Sequence, residues 1–318
     1  MGKKTLVTIL IVVAFILPIL LYLSVVGPEP PMPKDEVARD IPLLDQTAVV
    51  LTAFVIKPLY MLLSLTLAWA LRKSRDSSLV PLRWGLLAFF IGEAFCAINY
   101  LVFRDQSYLA EYLHNFGMVV SFGFICYALL DGLDTRVIQY SDPEKRCAFT
   151  GVCNSCIKSQ NVQCGIRKLF QLSIPAFGSL AFIPLAAKIN GISYDAYVFG
   201  TRYNYTWLKA DQLFEIRYCP LLAMALFLSA FLVMIFSRTQ IIPTMAKILC
   251  SAGVGALGFG LFRLFLNSTF IQNLAWADSW EEITEFTLMV FIAYILYLFR
   301  ERFGVKIGKY EMAHQAKK

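Results

Sequence analysis

The chain is predicted to be an all-α integral membrane protein of about eight transmembrane helices, arranged as two pseudo-repeated four-helix halves joined by a cytoplasmic cysteine-rich linker. Three observations predict this. First, hydrophobic residues make up 58% of the 318 and charged residues only 16%, and the apolar runs reach the roughly 20 residues that a membrane-crossing helix needs. Second, of the 29 Lys and Arg, 20 fall on one side of the spans and seven on the other, which places the richer side in the cytoplasm. Third, prolines recur at one spacing: Pro58-Leu59 and Pro81, then Pro220-Leu221 and Pro243, each pair 23 positions apart.

Taken in order, an apolar run over 5–26 follows Lys3 and Lys4. It is too long for a signal peptide and lacks a small-residue cleavage site, so a retained anchor is expected. Residues 27–47, with Pro28, Pro30, Pro31 and Pro33, read as an extended outer loop. Spans at 48–71, 84–103 and 112–133 complete a first half over 1–133, and residues 134–168 form the linker. The second half, 169–303, has spans at 169–188, 218–237, 245–266 and 282–300, followed by a basic cytoplasmic tail over 304–318. Pro175 and Pro184 remove backbone donors, so the fifth span should be kinked or broken. Residues 189–217 carry Tyr194, Tyr197, Phe199, Tyr203, Tyr205, Trp207 and Phe214, and read as an aromatic cap lying along the outer interface. Glu111-Tyr-Leu-His114 before Met118-Val119 lines up with Glu282-Ile-Thr-Glu285 before Met289-Val290. Because four helices return the chain to its starting side, the repeat would be parallel, about an axis along the membrane normal. Both termini are expected inside, in a bacterial inner membrane. The formal charge of +7 then serves insertion and contact with anionic membrane lipid, and requires no nucleic-acid partner.

Four of the eight cysteines, Cys147, Cys153, Cys156 and Cys164, crowd into the linker with five, two and seven residues between them. Disulfides rarely persist in a reducing compartment, so these thiols are expected to ligate a metal. Two centres fit. An iron–sulfur cluster of the 4Fe–4S kind tolerates irregular spacing, although the common ferredoxin spacings are absent. A structural zinc site more often uses two close pairs, and only one is present. Lys145, Arg146, Lys158, Arg167 and Lys168 suit either. Cys96, Cys126, Cys219 and Cys250 read as small buried hydrophobes.

Charges inside spans are costly enough to mark candidate sites. Lys57 and Glu93 lie on adjacent helices and are read as a catalytic or substrate-path pair, with a packing role as the alternative. Arg263 and Glu285, near Asn99, Tyr100, His114 and Asn267 in depth, form a polar girdle suited to a quinone headgroup, or else a plain Arg263–Glu285 bridge. Glu111 and His114 have the spacing of a helical di-iron pairing, but the second half offers Glu285 and no second histidine.

With two histidines, one of them His314 in the tail, a bis-histidine haem within the membrane is excluded. No phosphate-loop or dinucleotide signature occurs. In helix count and repeat the chain is similar in architecture to the integral quinol-binding subunits of polysulfide- and nitrite-reductase-type complexes, which lack an inserted cysteine loop. The expectation is a membrane redox subunit of a quinone-linked oxidoreductase. Its cytoplasmic cluster would exchange electrons with a soluble or peripheral redox partner on that side. The alternatives are a transporter or assembly factor with a structural zinc linker, whose pathway would pass Lys57 and Glu93, and a redox or metal sensor.

Overall fold

The computed structural model describes residues 38–103, 106–140, 147–151, 165–207, 209–237 and 241–300. The expected first span, Cys153, Cys156, Cys164 and the basic tail lie outside the described residues.

The architecture is a bundle of long helices carrying a small sheet at one end. Helix α1 (Leu43–Leu51) runs through a π-turn (Thr52–Ile56) into α2 (Lys57–Ala70), and α3 (Leu79–Val102) and α4 (Tyr108–Gly132) follow. A second π-turn, Leu133–Ile138, extends α4 and ends at Gln139 in the left-handed region. Beyond the linker come α5 (Gly165–Leu180), α6 (Phe182–Ala186), α7 (Ala210–Leu213), a π-turn at Phe214–Tyr218, α8 (Cys219–Phe236), α9 (Thr244–Thr269) and α10 (Leu274–Leu298). Six stretches are long and apolar enough to cross a membrane: Leu43–Ala70, Leu79–Val102, Tyr108–Ile138, Gly165–Ala186, Asp211–Phe236 and Thr244–Thr269. These include the second to seventh spans expected from sequence. Helix α10 overlaps the last expected span up to Leu298, but Asp278, Glu281, Glu282 and Glu285 dilute its apolar run.

The prolines shape the helices locally. Pro58 and Pro220 each sit in the first turn of a helix that a π-turn precedes. A proline inside a continuous helix cannot donate to the carbonyl four residues back and its ring crowds that carbonyl, so the preceding turn widens. Pro184 acts likewise: the fifth span breaks at Ala181, between α5 and α6, while Pro175 is accommodated within α5. The freed carbonyls at the end of α6 are taken by Arg217, which donates to Pro184 O, to Leu185 O at 2.7 Å and to Ala187 O at 2.8 Å.

Small residues let the helices touch. A Cβ added at Gly117 of α4 would stand 2.7 Å from the Cα of Gly92 in α3, and one at Gly255 of α9 would stand 2.5 Å from the Gly123 nitrogen of α4. Such contacts are the usual means of close helix association in membranes, where lipid offers no hydrophobic drive between helices. Helix α10 packs along α1 and α2, and α9 along α4, so the sequence halves interlock. Tyr60, Phe89, Met118, Ala223, Ala256 and Met289 are buried between them. Outward positions stay apolar, as with Leu101 at 67% and Phe265 at 68% exposed, which suits a lipid-facing surface. At the end carrying the 71–78 loop, Arg72 stacks on Trp69 at 3.5 Å and Arg83 lies 5.5 Å from the Trp84 ring, an aromatic and cationic rim of headgroup character.

The all-α expectation needs one correction. Strand β1 (Arg39–Asp40) pairs in parallel with β2 (Ile192–Val198), which pairs antiparallel with β3 (Thr201–Trp207). The aromatic segment is therefore a hairpin docked on the bundle. Its turn residues, Phe199 and Gly200, have φ of 46° and 80°, as a two-residue hairpin turn of primed type requires. The β-branched and aromatic run gives the strands, and cross-strand pairs hold them: Asp195 binds Arg202 and, at 2.7 Å, Asn204, while Ser193 meets Thr206 at 3.0 Å. The Tyr194 hydroxyl accepts from Leu274 N at 2.8 Å and so ties the hairpin to the first turn of α10. Burial pushes the phenols of Tyr194 and Tyr205 above their usual range.

Candidate functional site

One polar cluster dominates the interior at the hairpin end of the bundle. Helix α2 supplies Lys57 and Tyr60, three apart and thus on one face; α3 supplies Glu93 and Cys96, α10 supplies Glu282 and Glu285, and α4 supplies His114. The Gly92–Gly117 contact draws α3 and α4 together at this level, which brings His114 up to Glu93. Pro58 and its π-turn fix the start of α2, and with it the place of Lys57.

The Lys57 ammonium lies 2.6 Å from Glu93 Oε2 and 2.8 Å from Glu282 Oε1, so it bridges three helices. It also approaches Cys96 Sγ at 3.4 Å. The Tyr60 hydroxyl is 2.7 Å from Glu93 Oε2 and 2.6 Å from Glu282 Oε2. A hydroxyl has one proton to give, so one of these contacts must be a carboxyl O–H donating to the phenol. His114 Nδ1 stands 3.4 Å from Glu93 Oε1 and 3.1 Å from the Gly92 carbonyl. Glu93 Oε1 and Glu285 Oε2 are buried and accept no hydrogen bond. Glu93, Glu282 and Glu285 each place a carboxylate oxygen within 4.8 Å of the others.

A second ion-pair group adjoins this one. Arg263 of α9 binds Glu281 and lies 2.7 Å from Glu215 Oε2 through Nε. That approach is off the N–H axis, since neither atom has a hydrogen bond, and the contact is Coulombic. Glu285 interacts electrostatically with both Lys57 and Arg263, so the two groups share one field. Together Glu93, Glu215 and Glu285, which are buried, and Glu281 and Glu282, which are part-buried, set five carboxyl groups against the two cationic side chains Lys57 and Arg263. Buried charge of that imbalance is unfavourable unless protons or a further cation offset it.

The residues singled out from sequence fall as follows. Lys57 and Glu93 are in direct contact. Arg263 does not bridge to Glu285, as the simpler expectation had it: its partners are Glu215 and Glu281, and Glu285 turns towards Glu93 and Glu282. The bridge fails because Glu281, one turn nearer the hairpin end, reaches the guanidinium first. Asn99 donates to Glu111 at 2.5 Å and accepts from Ser107 N at 2.9 Å, which ties the ends of α3 and α4. Tyr100 stacks on Tyr203 of the hairpin with ring centroids 6.5 Å apart. Asn267 is buried and donates to Arg263 O, facing the interior. Cys147, the first linker thiol, precedes a short 3-10 turn at Ala148–Gly151; its three companions lie outside the described residues.

Sequence reasoning missed Tyr60, Cys96, Glu215, Glu281 and Glu282. Two had a signal, since Tyr60 and Cys96 stand three residues from Lys57 and Glu93 and must share their faces. Glu215 was assigned to the outer loop and Glu282 to the mouth of a span, although helix runs through both. No protein-family model, curated protein or solved structure matches this chain.

Proposed function

We propose that the protein is a cation transporter of the membrane and that the cluster around Lys57, Glu93, Glu282 and Glu285 is its binding site. The observation that carries this reading is the surplus of carboxyl groups over cationic side chains within one group of helices, with Glu93, Glu215 and Glu285 buried. Intramembrane acids that face a bundle interior are a common feature of ion pathways, and here Lys57 already serves as a tethered cation between two of them. The eight-span, two-half layout belongs to the same proposal. It is supported by the matching π-turns before Pro58 and Pro220, and the path would run where α2 and α3 meet α10, in the orientation given by the Lys and Arg bias.

The test is ion flux into proteoliposomes loaded with pH- and metal-sensitive dyes. Glu282→Gln should abolish flux while abundance and melting temperature stay near wild type. Unchanged flux, or a loss of protein equal to the loss of flux, would overturn the assignment.

A second reading rests on the linker. The spacing of Cys147, Cys153, Cys156 and Cys164 supports an iron–sulfur centre that passes electrons to a cytoplasmic partner, with quinone as the membrane acceptor, or a zinc site in its place. Iron with acid-labile sulfide in anaerobically purified protein, lost on Cys153→Ser, supports the redox form. Zinc alone supports the structural one.

A further inference from the structure

We infer that Glu93, Cys96 and His114 form a three-ligand site for a divalent transition-metal ion of the zinc class, with a fourth coordination position left to water or substrate. The inference names the cation class for the transporter reading and rests on that reading only for the role of the ion, not for its binding.

The three side chains each offer a donor atom within 4.8 Å of the others, and together they make an oxygen, sulfur and nitrogen set. That is the donor chemistry of zinc and its neighbours, whereas magnesium and calcium take oxygen alone. The spacing agrees. His114 Nδ1 and Glu93 Oε1 are 3.4 Å apart, long for a hydrogen bond between an imidazole and a carboxylate. For metal bonds of about 2.0–2.1 Å, however, the edge of a tetrahedron is about 3.3–3.4 Å. Glu93 Oε1 is also the oxygen that accepts no hydrogen bond although the side chain is fully buried.

The second oxygen explains how that atom is presented. Lys57 at 2.6 Å and Tyr60 at 2.7 Å both hold Glu93 Oε2, which fixes the carboxylate plane and leaves Oε1 facing the imidazole. Such outer partners orient metal ligands in known sites. Cys96 follows Glu93 by three residues on α3, and the glycine contact of α3 with α4 sets the imidazole opposite both. Ligation through Nδ1 moves the ring proton to Nε2 and gives up the 3.1 Å contact of Nδ1 with the Gly92 carbonyl, which lies within α3. The all-carboxylate group of Glu93, Glu282 and Glu285 is the poorer choice, because it offers oxygen alone. Lys57 touches two members of either group, at Glu93 and Glu282 in that one and at Glu93 Oε2 and, at 3.4 Å, Cys96 Sγ in this one, and an ion here would take the thiol from it.

The linker thiols would bind the same metals, so the test removes them first. Full-length protein carrying serine at Cys147, Cys153, Cys156 and Cys164 is purified in nanodiscs, stripped with chelator and titrated with Co2+, then with competing Zn2+. About one Co2+ per chain with thiolate charge-transfer absorbance and the intense visible bands of a tetrahedral ion is expected. Cys96→Ser should remove the charge-transfer band, His114→Gln should remove the bound equivalent, and Tyr60→Phe, a positioning change, should weaken affinity by about 10- to 100-fold. In the wild-type linker background His114→Gln should likewise lower stoichiometry by one, which covers failure of the linker variant to fold. No binding by folded linker-free protein, or a Co2+ spectrum untouched by Cys96→Ser, overturns the site. Binding without flux overturns only the transporter reading, and flux without binding overturns only the metal site.

Discussion

Among the described residues two lysines are buried, Lys57 and Lys247, and they are held in opposite ways. Lys247, towards the 71–78 loop, binds Asp131 Oδ1 at 3.0 Å and Asp134 Oδ2 at 2.5 Å. The other Asp131 oxygen accepts from Ser77 and Ser78 at 3.1 and 3.4 Å, and neither aspartate has a buried oxygen without a partner. Asp76 beside it binds Arg136 and accepts from Ser78 N, which starts α3. Lys247 and its two aspartates thus form a closed knot joining the start of α3, the end of α4 and α9. Both groups hold more acids than cations, but the Lys57 cluster is open: two of its carboxylate oxygens accept nothing, and a thiol and an imidazole lie alongside. Saturated polar networks specify packing, whereas unsatisfied ones are retained only where something else is served. Burial alone therefore does not mark a functional charge. The state of its lone pairs does.

The same chemical change should act with different sign at the two places. Asp131→Asn leaves Lys247 with half its partners in a site that is saturated, and should cost about 3–5 kcal/mol. A drop in melting temperature and abundance would show it, and a silent variant would break the contrast at its strong end. Next in size is Gly117→Ala. Its methyl would meet the Gly92 backbone, and overpacking of this kind costs about 1–3 kcal/mol. Since the same contact seats His114 against Glu93, cobalt affinity should fall together with stability. A stability loss with affinity intact would separate the crossing from the site. Glu285→Gln is smaller and of the other sign. It replaces a buried carboxyl group whose Oε2 has no hydrogen-bond partner by a neutral amide of the same shape, so stability should hold or rise by about 1 kcal/mol while flux is lost. Destabilisation there would mean that the Lys57 cluster is a knot as well.

How much of this could be read in the sequence follows from the physics of each feature. The spans were legible because a bilayer imposes length and apolarity on every crossing, and the proline pairs marked where helices widen or break. Lys57 and Glu93 stood out because charge within an apolar run is rare. The partners of Arg263 did not, since Glu281, Glu282 and Glu285 all lie within one turn or so of each other, and only the rotation of α10 decides which acid faces which cation. Glu215 was hidden by a helix that begins earlier than hydropathy suggests. The hairpin was missed because its aromatic residues satisfy an interfacial belt and a packed strand equally well; only Phe199-Gly200 between the runs hinted at a turn.

The hairpin offers the smallest effect and the sharpest control. Tyr194→Phe removes one acceptor from Leu274 N and should cost about 1 kcal/mol locally, without touching either lysine. Hydrogen exchange at the start of α10 should rise while flux and cobalt binding stay as in wild type. Because burial raises the phenol pKa of Tyr194 and Tyr205, the folded hairpin favours their protonated forms. Its stabilisation is then complete below about pH 10, where the unfolded phenols ionise, and declines as pH rises beyond that. Iodide should gain access to Trp207, now buried, above that pH, and Tyr194→Phe should shrink the change without abolishing it, since Tyr205 remains. If the variant instead lost flux, the hairpin would be coupled to the Lys57 cluster through α10, and the division between the end that packs and the cluster that binds would have to be redrawn along that helix.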